Sequence, residues 1–547
     1  MRHLVICIIL LCGAMLLSAQ TPQWQWAVRA GGSGNDQVLA MASDGLGNQY
    51  LTGSFSGTAD FGPISLTSSV LRDIYIAKLD DSGDWLWAVR AGGISNDTGN
   101  GIAVDSAGNA LITGSFQLSA DFGPYTLTAT GYNDIFAAKL DSMGNWLWAH
   151  QAGGTNFESG NSIAVDGAGN SYLTGYFSGS ASFGPHTLIS TGGSDDIFVA
   201  KIDPTGNWLW AVRAGGNETD EGLDITVDGA GNVFLTGAFQ DNAAFGPYNL
   251  NSSGYTDIFA AKLDPNGNWL WAVRAGGTSV DIGYGLALDG LDNAYLTGCF
   301  QGSAAFGAHN VTATGELDIF VAKLDSNGAW LWVDQAGGIS DDYGYGIAVD
   351  SPAGAFLTGS FMDSADFGAD TLTSGGYTDI FIAKLASNGE WLWADRAGGT
   401  DEDIGYGIAM GTESSVWLSG VFQQTASFGP FTLTSNGSKD IFVAKLTSEV
   451  GIHDEPAPEP ANTSSLADAF PNPLCNGSST LIRACIGERE SGILRLFNLR
   501  GQCVESWQLN SGVHQISVQA SDLPAGIYLY QLSAPSVTIV KKLVLLK

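Results

Sequence analysis

The chain has 547 residues, of which 55 are acidic and 22 basic, and a formal net charge of −33. That balance excludes the basic footprint of a nucleic-acid binder, and 44% hydrophobic with 11% aromatic residues excludes a disordered chain. Six His and six scattered Cys leave little material for a metal enzyme or a disulfide framework. The charge is uneven. Residues 24–446 hold 14 basic and 46 acidic side chains, a balance of −32, whereas residues 466–547 hold 7 and 5, a balance of +2. Such a shift predicts two folding units.

The chain opens on Met1-Arg2-His3, a short basic start, followed by an apolar run from Leu4 to Leu17 and the small residues Ser18 and Ala19. This pattern predicts a secretory signal peptide over residues 1–19, cleaved after Ala19, since the run is too short for a spanning helix. Neither Cys7 nor Cys12 sits in a lipoprotein box. No later stretch is apolar enough to span a bilayer, so the mature chain is expected to be exported without a membrane span.

Repeats organise residues 24–446. Trp-x-Trp recurs at Trp24, Trp85, Trp146, Trp208, Trp269, Trp330 and Trp391, at spacings of 61, 61, 62, 61, 61 and 61 residues. Ala-Gly-Gly follows each pair. Next come an apolar run ending in Asp (Gly101-Ile102-Ala103-Val104-Asp105), a Leu-Thr-Gly-x-Phe run (Leu173 to Phe177) and an Asp-Ile-Phe-x-Ala-Lys run (Asp257 to Lys262). These short runs, rich in aromatic and β-branched residues, read as strands. Gly and Asn between them, as in Asp105-Ser106-Ala107-Gly108-Asn109, accept the left-handed backbone of tight hairpins. Each repeat therefore supplies two hairpins and four strands, the Trp-x-Trp strand being outermost. The third strand is apolar on both faces, as in Ile197-Phe198-Val199-Ala200-Lys201-Ile202, which suits a sheet covered on both sides. Seven such sheets predict an all-β, seven-bladed β-propeller over residues 20–446; an open β-solenoid is the competing geometry. The first Trp-x-Trp precedes any other strand and the last repeat stops at Lys445 without one. Residues 24–26 should therefore complete the last blade and close the ring.

Past a Pro- and acid-rich linker (447–465, with Asp454 to Pro460), residues 466–547 contain about seven short apolar runs, which predict a small Ig-like β-sandwich. Both units carry resemblances. The run Asp-x-Gly-x-Gly-Ile-Ala-Val-Asp-x-x-Gly-Asn-x-Tyr-Leu-Thr-Gly, with Asp-Ile-Phe-x-Ala-Lys-Leu-Asp-x-x-Gly-Asn, resembles the bacterial propeller repeat called SBBP, which implies a propeller and no activity. Pro471, Asn472, Pro473, Gly501, Gly526, Tyr528 and the basic end Lys541, Lys542, Lys547 resemble the type A sorting domain of type IX secretion. That resemblance implies passage across the outer membrane of a Gram-negative bacterium, with the secretion machinery as partner through residues 466–547. It also implies a secreted or surface-anchored product, with the domain often cleaved off.

An acidic residue stands four positions after the second Gly of every Ala-Gly-Gly: Asp36, Asp97, Glu158, Asp220, Asp281, Asp342 and Asp403. They could ring one mouth of a central channel and hold a cation such as Ca²⁺ or a cationic ligand; the preferred reading is a turn cap on backbone N–H groups. Glu218, Glu221, Asp341, Asp401 and Glu402 make that rim negative either way. Seven Asp (Asp73, Asp134, Asp196, Asp257, Asp318, Asp379, Asp440) begin the third strands, each five residues before a Lys. Pairs to neighbouring blades or loop caps are expected of them. The Trp pairs are read as blade packing rather than sugar platforms. The Asp-x-x-Gly-Asn-Trp hairpin lacks the Ser and spacing of a sialidase Asp-box, so no sialidase activity is carried over. His150, His186 and His309 lie in different repeats with no nucleophile motif beside them, and no catalytic residue is assigned. Cys299 is expected to be buried; one disulfide among Cys475, Cys485 and Cys503 is expected, with the pair left open.

These readings predict an exported monomeric propeller that binds an extracellular glycan or protein, with no cofactor. The alternatives are a polysaccharide-degrading hydrolase or lyase using rim carboxylates, against which the uniform repeats argue, and a structural surface or adhesion component.

Overall fold

The computed structural model describes residues 22–350, 354–412, 415–447, 465–466, 479–486, 490–498, 500, 502–519, 523–535 and 537–545. The expected signal peptide (1–19), most of the linker, Pro471, Asn472, Pro473, Cys475, Gly501 and Lys547 lie outside the described residues. The chain divides into two compact units, residues 1–450 and 451–547.

The described residues of the first unit form strands and turns without a helix. Seven four-stranded antiparallel sheets recur in it. The sheet of the first repeat pairs Gln37–Ser43, Gln49–Phe61, Ile64–Leu79 and Trp85–Gly93 in that order. Five more repeats pair their strands in the same order. In the last sheet, Ile404–Met410, Ser415–Phe422 and Asp440–Thr447 are completed by Gln23–Gly32 from the start of the chain. The innermost strands touch in a closed cycle, the last against the first. A closed ring leaves neither the first nor the last sheet an unpaired outer edge. This is a β-propeller, closed by its N-terminal strand.

The turns show why the sequence repeats. In Asp105-Ser106-Ala107-Gly108-Asn109 the Asp105 carboxylate accepts the N–H groups of Ala107 and Asn109, both at 2.9 Å, and the Asn109 side-chain amide at 2.8 Å. Gly108 takes a φ of 77°, where a Cβ would be strained. The same Asp-to-Asn bonding recurs at Asp166, Asp228 and Asp289, and at Asp141, Asp203 and Asp264 in the hairpins that lead to the outermost strands.

One element was not legible in the repeat pattern. Between the second and third strands, Phe-Gly-x forms the tip of a further hairpin, for example Ser119–Phe122 with Tyr125–Thr128. Its first arm pairs with the Gly-Gly end of the preceding repeat's outermost strand, Gly92 with Asp121 and Gly93 with Ala120. Backbone hydrogen bonds thus stitch neighbouring sheets together at their periphery. The Trp-x-Trp residues support this arrangement. Trp146 meets Phe122 edge-on at 5.4 Å within its own sheet, while the Trp87 indole N–H donates to the Ser142 carbonyl of the next one at 3.0 Å. The intervening leucines, such as Leu86 and Leu147, are exposed. These tryptophans are packing residues.

The second unit has a three-stranded and a four-stranded sheet among its described residues. Ile482, Ile486 and Val518 of the first pack with Leu494, Leu496, Tyr530 and Leu532 of the second in one core. The Tyr528 hydroxyl donates to the Pro524 carbonyl at 2.8 Å, and Gly526 between them has a φ of 154°. This gives the Leu-x-x-Gly-x-Tyr motif a structural role: the tyrosine latches the chain four residues upstream, as in a tyrosine corner. Lys541 is half-buried and Lys542 exposed on the last strand. Cys503 is an exposed free thiol.

Deleting residues 22–33 removes the closing strand and exposes two sheet edges. Thermal unfolding of that variant is expected many degrees below the parent; an unchanged melt would show that the ring does not depend on its closure.

Candidate functional site

The seven repeated acids do not line the axis. Asp36, Asp97, Glu158, Asp220, Asp281, Asp342 and Asp403 are all fully buried. Asp97 is typical: its two oxygens accept the Gly93 N–H at 2.7 Å and the Gln117 N–H at 3.0 Å, and its own N–H donates to the Arg72 carbonyl. Each Asp of the set makes the same pair of bonds, from the second Gly of Ala-Gly-Gly and from the residue 20 positions on. Glu158 accepts the Gly154 N–H at 3.1 Å and leaves its second oxygen without a partner. The burial of these acids corrects the alternative of a carboxylate ring open to a cation at the channel mouth and leaves them as caps on backbone N–H groups. The side chains are consumed as clamps between one sheet and the next. Among the described residues no group of three or more His, Cys, Asp or Glu is placed to hold a metal ion.

The Asp residues that begin the third strands lie beside these clamps and are also fully buried. The first Gly of Ala-Gly-Gly separates the two carboxyls: a Cβ at Gly92 would stand 2.8 Å from Asp73 and 2.9 Å from Asp97. Only Gly leaves room for both. An arginine on the outermost strand of the same sheet pairs with five of these Asp: Arg29 with Asp440 at 2.7 Å, and Arg90, Arg213, Arg274 and Arg396 with Asp73, Asp196, Asp257 and Asp379. The lysines five residues on turn to the Asp of the first hairpin in their own sheet rather than to a neighbouring one, as Lys139 does to Asp105 at 2.8 Å. Lys201 and Lys445 are the exceptions. Lys201 donates to the Pro265 carbonyl of the next repeat at 3.3 Å, and Lys445, with Gly411 in place of that Asp, reaches Asp81 of the first repeat at 2.5 Å.

The site missed by sequence reading lies on the axis. Every innermost strand carries a β-bulge at the same place, where the pairing register skips one residue. The skipped residues are Leu39, Asn100, Asn161, Leu223, Tyr284, Tyr345 and Tyr406, and all of them line an axial cavity of ≈ 270 Å³. A bulge re-aims the extra side chain out of the ladder. Here it turns one residue from each repeat toward the axis. These are among the positions at which otherwise similar repeats diverge, so a column-by-column reading of the repeats would have shown them.

The divergence makes the cavity two-sided. Tyr284, Tyr345 and Tyr406 form a continuous aromatic arc, with successive ring centroids 5.2 Å apart. Tyr343 stacks on Tyr345 at 5.7 Å with 6° between the planes. Opposite stand amides. Asn100 Nδ2 donates to Ser159 Oγ at 3.0 Å and to the Gly160 carbonyl at 2.9 Å, and Asn161 Nδ2 donates to the Gly222 carbonyl at 3.0 Å. The next position in the repeat is Gly in four sheets but Asp224 in the fourth repeat. Its carboxylate accepts the Ser162 hydroxyl at 2.7 Å and the N–H groups of Ile225 and Leu286, both at 2.8 Å, so it ties three repeats together. Burial pushes its pKa up to about 6. Cys299, buried, lies behind Tyr284 and shares a hydrogen bond with it. His150 packs against Trp148 at 5.5 Å, away from the axis.

The comparisons fit this architecture. The beta-propeller repeat family, SBBP, matches residues 86–115 and 147–177, and the secretion system C-terminal sorting domain matches residues 468–546. An uncharacterized WD repeat-containing protein of Acanthamoeba polyphaga mimivirus is 24% identical over 73% of this chain and 36% of its own length. The regulatory protein FlaEY of Caulobacter vibrioides is 26% identical over 59% of this chain and 36% of its own length. The chain thus spans about a third of these curated relatives. Among solved structures, PorZ, a surface component of the type-IX secretion system of Porphyromonas gingivalis, superposes with a TM-score of 0.27 at 11% identity. That alignment covers 92% of this chain and 74% of PorZ. A fungal alcohol oxidase reaches 0.39 at 12% identity over 96% of this chain and all of its own. Scores that low carry no argument, and the fold rests on the strand pairing.

Burial raises the clamp carboxyls to about 6 at Asp36 and Asp281 and to about 7 at Asp97, Glu158, Asp220, Asp342 and Asp403. A folded pKa above the unfolded one stabilises the fold at low pH, and that contribution is lost as pH rises through the folded value. The melting temperature is therefore expected to fall between pH 5 and pH 8. The turn carboxylates Asp105, Asp203 and Asp228, held below their ordinary range by hydrogen bonds, oppose this only under more acid conditions. A melt that is flat or rises from pH 5 to 8 would contradict the clamp account. Asp97→Asn leaves one backbone N–H without an acceptor and should cost about 1–3 kcal/mol in denaturant unfolding. With these clamps in place, the first unit is a β-propeller whose residues 86–115 and 147–177 match the SBBP beta-propeller repeat, and residues 468–546 match a secretion system C-terminal sorting domain.

Proposed function

We propose that this chain is an exported surface binding protein whose ligand enters the axial cavity of the propeller. Export rests on the sorting domain at residues 468–546, which indicates type IX secretion to the cell surface or the medium. The binding reading rests on one observation. The repeats hold their clamp, turn and packing residues nearly constant, yet the seven bulge residues that line the axis fall into three kinds, two Leu, two Asn and three Tyr, placed unevenly around the ring. Scaffold positions repeat because the scaffold repeats; a ligand needs a unique constellation.

The ligand is an extracellular glycan or protein on this reading. A hydrolase or lyase draws less support. General acid–base cleavage of a glycosidic bond needs two carboxyl groups, and Asp224 is the one carboxyl among the described lining residues.

Two measurements test the proposal. The chain without residues 466–547 should remain in the periplasm of a host with an intact type IX system; its recovery from the surface or medium would contradict the export route. Retention on a panel of surface polysaccharides and proteins should be weakened by Tyr345→Leu, with no sugar products released. Products from the parent chain would favour the hydrolase, and retention indifferent to Tyr345→Leu would move the site off the axis.

A further inference from the structure

The hydrogen-bonding roles left open in the cavity indicate what it takes. The donors are largely spent. Both hydrogens of Asn100 Nδ2 go to the next innermost strand, Asn161 Nδ2 donates to Gly222, and the Ser162 hydroxyl donates to Asp224. The Tyr284 hydroxyl donates to Cys299, and the Tyr345 oxygen accepts from Ser360. What those amides can still offer is a carbonyl oxygen each, beside the Asp224 carboxyl. No Lys, Arg or His is among the described lining residues. An anion therefore finds no positively charged partner there, and a neutral polyol finds more acceptors than donors.

Three further features point the same way. The lining includes three successive tyrosine rings, whose faces attract cations. Glu221 begins the innermost strand two residues before Leu223, and Asp195 lies close enough to raise its pKa. Residues 24–446 carry a net charge of −32, which draws cations toward the propeller. A bare divalent cation suits the cavity less well, since Ca²⁺ takes six to eight oxygen ligands and no aromatic wall.

We infer that the axial cavity takes an organic ammonium group, held between the tyrosine arc and the Asn100, Asn161 and Asp224 oxygens. This deepens the binding reading above and rests on it. The ammonium has two chemical sources that the geometry treats alike, a lysine side chain of a protein and the amine of an unacetylated amino sugar.

Titration calorimetry on the chain lacking only residues 1–19 tests the inference. The ammonium probes are Nα-acetyl-lysine methylamide and glucosamine; their uncharged counterparts are Nα-acetyl-norleucine methylamide and N-acetylglucosamine. At least one ammonium probe should bind about tenfold more tightly than its counterpart, and Tyr345→Leu should weaken it by about tenfold. Tyr345→Phe keeps the ring and should keep the binding, which separates a lost contact from a misfolded protein. Preference for the lysine probe names a protein source, and preference for glucosamine a glycan. Equal or tighter binding of the uncharged probes, if sensitive to Tyr345→Leu, overturns the ammonium assignment and leaves the axial site standing. Absence of ammonium binding, or binding indifferent to Tyr345→Leu, also overturns it. If retention on polysaccharides and proteins ignores Tyr345→Leu as well, the axial reading falls with it.

Discussion

The propeller depends on a buried carboxylate that has no charged partner of its own. In each repeat it sits in the turn between the outermost strand of one sheet and the innermost strand of the next. Each Asp of the set accepts one backbone N–H from the end of that outermost strand and one from just past the next sheet's second strand, as Asp97 does from Gly93 and Gln117. A loop that dives from the periphery to the axis carries backbone groups that cannot all reach a strand partner. A side chain with two acceptor oxygens answers that need in one residue. The costs are desolvation, seen in the raised carboxyl pKa values, and the glycine that must stand between this group and its neighbouring Asp.

The clamp leaves the axis free to vary. The ring is held by the turn carboxylates, by the peripheral hairpins laid on the preceding sheet, by the tryptophans and by the closing strand. None of these contacts involves the tyrosine arc. The bulge takes one residue per innermost strand out of the ladder, so its identity is released from the demands of packing. Leu, Asn and Tyr can therefore occupy equivalent positions in one ring. Asp224 departs furthest from this rule. It is the one axial carboxyl among the described residues and also a bond between repeats, which joins site and scaffold at that point.

Much of this was legible in the sequence, for identifiable reasons. The strands, hairpins and ring closure follow from a period of about 61 residues, turn chemistry and an orphaned Trp-x-Trp, all local or additive signals. The acidic column was visible and was read first as a backbone cap, but the sequence left a ring facing the channel as an alternative. Whether a turn carboxylate faces water or its own backbone depends on the path of the loop, and the sequence does not state that path. The Phe-Gly hairpin was passed over because its partner is the preceding sheet, a contact that no local pattern announces. The axial residues were hidden for the opposite reason. A search for what repeats discards what does not, and Asn100, Asn161, Asp224 and the tyrosines are the residues that do not.

The central claim is that scaffold and site are separate layers of one ring. Its most direct test is the triple variant Tyr284→Leu, Tyr345→Leu, Tyr406→Leu, followed by thermal unfolding and by retention on the ligand panel. Separate layers predict a melting temperature within a few degrees of the parent and lost retention. A variant that unfolds at much lower temperature, or one that melts alike and still binds, would contradict that separation.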